Sequence, residues 1–174
     1  MTKLSILLTT IALSCVGFAS SPANALGTPF SCTTGGFYVL NGVVFGGGPQ
    51  EGDCTGLASI PESATSIGAY AFSQAVELKT VTFACNSQVE TIGEGAFLDA
   101  ITLERVDMPN SVNSIDIAAF AGTTALKSIV IPKDLTSIGN VAFRSSGVNN
   151  FQIASENNSY SSTGGVLFNK NKTT

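Results

Sequence analysis

The chain contains no histidine and no tryptophan, and only 11 % of its residues are charged. Without an imidazole there is no base for a Ser-His-Asp or Cys-His nucleophile. Zinc sites of the usual Cys/His kinds go with it, and no CxxC pair is present. Low charge leaves Ser, Thr, Asn and Gly to cover much of the outside. Eight basic residues stand against 12 acidic ones, a net −4 with no basic cluster. That argues against neutralisation of nucleic-acid phosphates. No basic amphipathic helix is legible, so attachment to anionic lipid lacks its usual device. Neither G-x-G-x-x-G nor GK[ST] follows Gly46-Gly47-Gly48, which reads as a loop and not as a phosphate cradle. The acids Glu90, Glu94, Asp99 and Glu104 are scattered without a glycosidase-type pairing motif, and read as solvating charges. The expectation is no catalytic residue, no metal site and no cofactor.

What is present begins with a leader. Lys3 precedes an apolar run from Leu4 to Phe18, and Ala23-Asn24-Ala25 follows. A basic start, an apolar middle and an A-x-A end make the layout of a secretory signal peptide, residues 1–25. The run is too short to span a membrane comfortably, and Ala12-Leu13-Ser14 before Cys15 does not match a bacterial lipobox. Cleavage after Ala25 removes Lys3 and leaves 7 basic and 12 acidic residues, a net −5. The expected location is therefore secreted or cell-surface, with no membrane insertion after cleavage. Export permits disulfides. Of the cysteines that remain, Cys32 and Cys54 bracket the segment before the repeats and form the favoured pair. Closing that loop stabilises by ~3 kcal/mol in the chain-entropy model. Cys85 is expected to be left over and exposed.

The remaining length reads as one domain, and at 44 % apolar residues it can bury a core. The dominant feature is repetition. ATSIGAYAF (64–72) returns as VETIGEGAF, VNSIDIAAF and LTSIGNVAF, with phenylalanines at 72, 97, 120 and 143. After each comes a Leu or Val and a strand-like alternation: Val81/Phe83, Val106/Met108, Ile129/Ile131, Phe151/Ile153. Pro61, Pro109 and Pro132 close three of these strands, where a missing N–H costs least. A second short strand follows, with Ala64/Ile67, Val89/Ile92, Val112/Ile115 and Leu135/Ile138 pointing inward. Gly68, Gly93 and Gly139 then permit a bend, with Asp116 standing in once. The Ala-Phe piece is expected to form a short helical turn, its Phe plugging the core.

A rung of about 23 residues cannot bury its own apolar stripe, so stacked rungs must bury each other's. The one 25-residue rung carries its two extra residues between Ala84 and Val89, at a bend where solenoids accept insertions. Phe37 to Phe45 holds two apolar runs around Asn41-Gly42, a strong hairpin signal and an expected N-terminal cap. Thr163 to Phe168 resembles a turn plus strand, after which no cap is legible. That leaves two expectations: a longer parent protein, or an open strand edge.

The pattern L-x-x-V-x-I-P-x-x-V-x-x-I-G-x-x-A-F resembles the BspA-like leucine-rich repeat family of bacterial and protozoan surface and secreted proteins. The likeness runs from about Leu57 to Phe168 and rests on seven spaced positions recurring four times. GDCTGLASIP is similar to the segment that opens the family's repeat region. ENNSYSSTGGVLFNKNKTT is similar to a rung variant that in relatives often continues into further repeats. Ala75, Ala100, Thr123 and Ser146 stand where many family repeats carry Cys. The resemblance implies an α/β leucine-rich-repeat solenoid over 57–174, preceded by a capping segment over 26–56. It also implies an extracellular, non-enzymatic module, often tied to adhesion.

Stacking places Thr80, Arg105, Ser128 and Asn150 in one outward ladder, beside Thr82, Asp107, Val130 and Gln152. This is the candidate face for an extracellular protein or glycan. Ser66, Thr91, Ser114 and Ser137 form a hydroxyl ladder on the second strand, which solubility alone accounts for. The sequons at Asn157 and Asn171 matter only in a eukaryotic secretory pathway. The expected function is a binding module of adhesion type. The alternative is a structural spacer within a longer surface-anchored protein. A hydrolase with an unusual carboxylate site is the third reading.

Overall fold

A computed structural model describes residues 28–32, 35–46 and 54–170. The expected leader and the sequon at Asn171 lie outside them. Three strands come first: β1 (Thr28–Ser31), β2 (Gly36–Leu40) and β3 (Val43–Gly46), each antiparallel to the next. Asn41 and Gly42 join β2 to β3 with φ of 51° and 80°. Two left-handed residues in a two-residue loop make the turn whose twist matches that of the flanking strands. The predicted hairpin is therefore present. It opens the solenoid by parallel pairing of β3 with β5 (Ser66–Ile67).

Four rungs each give a first strand and a second strand. The first strands are β4 (Gly56–Ile60), β6 (Leu78–Phe83), β8 (Arg105–Val106) and β10 (Ser128–Ile131). The second strands are β5, β7 (Thr91–Ile92), β9 (Ser114–Ile115) and β11 (Ser137–Ile138). β12 (Asn150–Ile153) starts a fifth rung, which then turns aside into a hairpin of β13 (Tyr160–Thr163) and β14 (Val166–Asn169). Second strands and the N-terminal hairpin share one seven-stranded sheet, while first strands form the sheets β4-β6-β8 and β10-β12. The predicted inward residues Ile67, Ile92 and Ile115 are 1 % exposed or less. Gly93 and Gly139 follow such residues for a reason beyond bending. A Cβ on Gly93 would stand 2.8 Å from the Ile67 carbonyl oxygen, and one on Gly139 2.5 Å from the Ile117 nitrogen. Adjacent rungs approach there backbone to backbone.

The third side of each rung departs from expectation: no helix occurs among the described residues. Chained turns take its place. Ser73 and Ala75 donate locally to the carbonyls of Tyr70 and Phe72, whereas the N–H groups of Tyr70, Phe72 and Gln74 cross to the Glu94, Ala96 and Leu98 carbonyls at 2.7 to 2.9 Å. Phe97 and Phe120 repeat this crossing to Ala119 and Ala142. An α-helix would fold every N–H back onto its own carbonyls and leave none for the next rung. Alternation between local and cross-rung bonds needs left-handed residues two places either side of the Phe. Tyr70, Gly95, Ala118 and Val141 on one side, and Gln74, Asp99, Gly122 and Ser145 on the other, have φ between 54° and 74°. Such residues stop a right-handed helix.

The phenylalanines do plug the core. Phe72, Phe97, Phe120 and Phe143 stack with near-parallel, offset rings at centroid distances of 5.4, 5.1 and 5.5 Å. Phe37 closes one end edge-on at 5.6 Å and Phe151 the other at 5.3 Å. Edge-to-face contact is the other favoured aromatic geometry, and it ends a stack without wasting its last face.

Cys32 and Cys54 are bonded, with Cα atoms 5.3 Å apart. Cys85 is exposed, as its place in the insertion suggested. In the full chain it too is disulfide-bonded. The turn plus strand expected over Thr163 to Phe168 is present as the β13-β14 hairpin, which forms a sheet of its own. Asn157 roots that hairpin. It is 7 % exposed, and its amide Nδ2 donates to Pro132 O at 2.7 Å and Leu135 O at 3.1 Å. Its Oδ1 accepts from the N–H groups of Ser159 and Tyr160. The first predicted sequon is thus built into the fold, and its acceptor nitrogen is occupied.

Candidate functional site

Alternation in the first strands sorts side chains by face. Val81, Val106 and Ile129 go inward, so their neighbours must go outward. Register then brings the candidates together: Thr80 pairs with Arg105, Ser128 with Asn150, and Val130 with Gln152. Asp107 follows β8 on the same side. Arg105, Asp107, Ser128, Val130, Asn150 and Gln152 are exposed, whereas Thr80 and Thr82 are half-buried. They fall on two sheets: Thr80, Thr82 and Arg105 belong to β4-β6-β8, with Asp107 just after it, and Ser128, Val130, Asn150 and Gln152 belong to β10-β12, with no strand pairing between β8 and β10. The face also begins a rung earlier, since Leu57 pairs with Thr80 and Ser59 with Thr82. The alternation GLASI ending at Pro61 carried that signal.

Electrostatically the face is neutral. Arg105 Nε donates to Asp107 Oδ1 at 2.7 Å, and the two side chains are 68 % and 42 % exposed. That hydrogen bond, and then the charge of Asp107, raise the Arg105 pKa still further. An ion pair this exposed contributes little to stability. What it does is tether the guanidinium to Asp107 through one of its five N–H donors. Ser59 and Thr82 hydroxyls lie 3.4 Å apart, and Val130, 47 % exposed, supplies an apolar patch. A shallow groove of about 500 Å³ adjoins at Asp107. It is lined by the insertion from Cys85 to Gln88 and by Met108 to Ser111 of the next rung. Ser111 Oγ pins its floor by donating to Ser87 O and Val89 O at 3.1 and 2.8 Å. The surface offers donors, acceptors and modest apolar area to an extended neutral partner.

The hydroxyl ladder on the second strands is equally regular, with Ser66, Thr91, Ser114 and Ser137 paired in register. Ser114 Oγ is turned to Asp116 Oδ1 at 3.0 Å. Three of its four members are half-buried, so it presents less to a partner than the first-strand face. Among the described residues no group of three or more Asp, Glu or Cys is placed to hold a metal ion.

A family model described as the BspA type leucine rich repeat region matches residues 54–172 in six copies, two more than carry the Ala-Phe signature. Among solved structures, a leucine-rich repeat protein from Bacteroides capillosus aligns with a TM-score of 0.57 at 24 % identity, over 72 % of this chain and 98 % of that one. The pneumococcal vaccine antigen PcpA aligns at 0.53 and 18 % identity, over 84 % of this chain and 55 % of its own. A leucine-rich repeat protein of T. pallidum aligns at 0.50 and 18 %, over 71 % of each. At these identities the likeness is one of fold. The chain spans about half the length of the pneumococcal antigen. No curated protein matches it.

Proposed function

The chain belongs to the BspA-type leucine-rich repeat family, and from that premise we propose that it is a secreted or cell-surface binding module without enzymatic activity. Its ligand is an extracellular protein or glycan, taken up across the first-strand face from Thr80 to Gln152. One observation carries the reading: within each first-strand sheet, polar and apolar groups are held in register from rung to rung, six of the eight exposed and the set without net charge. A stacked scaffold fixes their spacing before any ligand arrives, which lowers the ordering cost of binding. An adhesive role fits the leader as well as the absent histidine. Spacing between other domains is a second reading, favoured by the half-length match to the pneumococcal antigen.

The test is a panel of matrix proteins and glycans against the purified chain and the variant Val130→Asp/Asn150→Ala/Gln152→Ala. A ligand that binds wild type and loses at least tenfold in affinity to the variant supports the reading. A panel ligand that binds both equally removes the first-strand face as the site. No binding across the panel favours the spacer.

A further inference from the structure

A second surface lies on the turn side, away from the first strands. Tyr70, 51 % exposed, and Phe45, 45 % exposed, line a depression of about 310 Å³ together with Ser73 and the backbone of Ala69 to Ala71. That volume is at the low end for small-molecule pockets and suits one long side chain better than a cofactor. Tyr70 is held in place from two directions. Its hydroxyl donates to Glu94 Oε1 at 2.6 Å, and its N–H to the Glu94 carbonyl at 2.9 Å. Its ring lies so close over Gly95 that a Cβ there would stand 2.5 Å from Cε1. Left-handed backbone does not explain the choice of tyrosine, because Ala118 and Val141 have the same φ at the equivalent place. The fold demands the strain; the surface has placed an immobilised aromatic ring there.

The rungs that carry it are acidic. Between residues 54 and 104, Glu62, Glu77, Glu90, Glu94, Asp99 and Glu104 are all exposed and Lys79 is the one basic residue, a net −5. From 105 to 170 there are five basic residues against four acidic ones, a net +1. An aromatic face beside a carboxylate, within a negative field, is the chemistry that recognises a guanidinium or ammonium group. Such a field also steers a cationic partner toward the site before contact.

We propose that the Tyr70–Glu94 surface is a second docking site, which receives a basic segment of a partner protein by stacking an Arg or Lys side chain on Tyr70 and pairing it with Glu94. This rests on the reading of the chain as a binding module, but it uses a different face, so the two fail separately. The probe is a hexa-arginine peptide, titrated calorimetrically into the full chain at low salt, with neutral oligosaccharides in parallel. Tyr70→Ala weakens peptide binding about fivefold, the size of an exposed cation–π contact. Tyr70→Phe retains most of the affinity. Glu94→Gln, which keeps the hydrogen bond and leaves the fold undisturbed, weakens binding and flattens its salt dependence. Asn150→Ala/Gln152→Ala binds like wild type. Equal binding by wild type, Tyr70→Ala and Glu94→Gln overturns the proposal. So does an equal loss in the remote Glu156→Gln, which would mean unspecific attraction. Tyr70-dependent binding of an oligosaccharide without binding of the peptide overturns it too, in favour of a glycan platform.

Discussion

The two ends of the solenoid face the same problem and solve it with different atoms. Each end would leave an unpaired backbone edge and an uncovered phenylalanine. At the N-terminus the hairpin adds β3 to the second-strand sheet, so the edge is closed by main-chain ladder bonds. Gly42 O accepts the Thr65 N–H at 2.7 Å, and the Cys32–Cys54 bond ties this cap to the first rung. At the C-terminus β13 and β14 pair only with each other. Side chains do the joining there. Asn157 reaches Pro132 and Leu135, Ser162 Oγ reaches Phe151 O at 2.6 Å, and the Tyr160 hydroxyl sits against β11, donating to Thr136 O at 3.3 Å and hydrogen-bonded to the Ile138 backbone. Burial follows the difference. Ile67, Ile92 and Ile115 are sealed, whereas Ile138, Phe143 and Phe151 remain half-buried. A backbone cap extends the stack almost without loss; a side-chain cap closes it at a few points.

That contrast can be broken from either end. The largest effect is expected at the N-terminus. Replacing Cys32 and Cys54 together by Ala removes a 22-residue closure and costs about 3 kcal/mol. The shift in urea midpoint measures it, and amide exchange is expected to speed first in β2 and β3. Asn157→Ala comes next, at about 2 kcal/mol, because the Pro132 and Leu135 carbonyls lose their donor in a buried place. Exchange is then expected to speed in β13 and β14 while the N-terminal hairpin stays protected. If both variants loosened both ends alike, the caps would not be independent. Tyr160→Phe is the smallest, at about 1 kcal/mol, and it carries a pH signature. Burial holds the Tyr160 phenol above its ordinary value, partly offset by its hydrogen bond to the Ile138 backbone. A raised folded pKa favours the protonated phenol in the fold. The contribution is therefore complete below about pH 10 and fades as pH rises through the folded value. Urea midpoints for wild type and Tyr160→Phe should converge above that pH; a constant gap would show that the hydroxyl is not the group at work.

Much of this was legible because it repeats. The inward sets at Ile67, Ile92 and Ile115, the outward ladder from Thr80 to Gln152, and the Asn41-Gly42 turn are period and turn chemistry, both local. The Ala-Phe segment was misread as a helix for a physical reason. Its spacing fits a helical turn, and only the neighbouring rung, by accepting every second N–H, makes chained turns the better state. The turn and strand from Thr163 to Phe168 were legible and are present in the β13-β14 hairpin; its anchoring was not, because Asn157 looks like any surface Asn or sequon until Pro132 and Leu135 are folded against it. Tyr70 gave no signal either, since one tyrosine at a variable rung position means nothing until Gly95 lies beneath it and Glu94 beside it.

By itself the sequence determined that rungs exist, how long they are, which residues face inward and where the first cap turns, because each is set by spacing along the chain. Tertiary structure decided the state of the third side, the anchoring of the β13-β14 hairpin and the company that Tyr70 keeps. Those depend on atoms brought from some 23 residues away, and no local pattern prices a hydrogen bond whose partner is on the next rung.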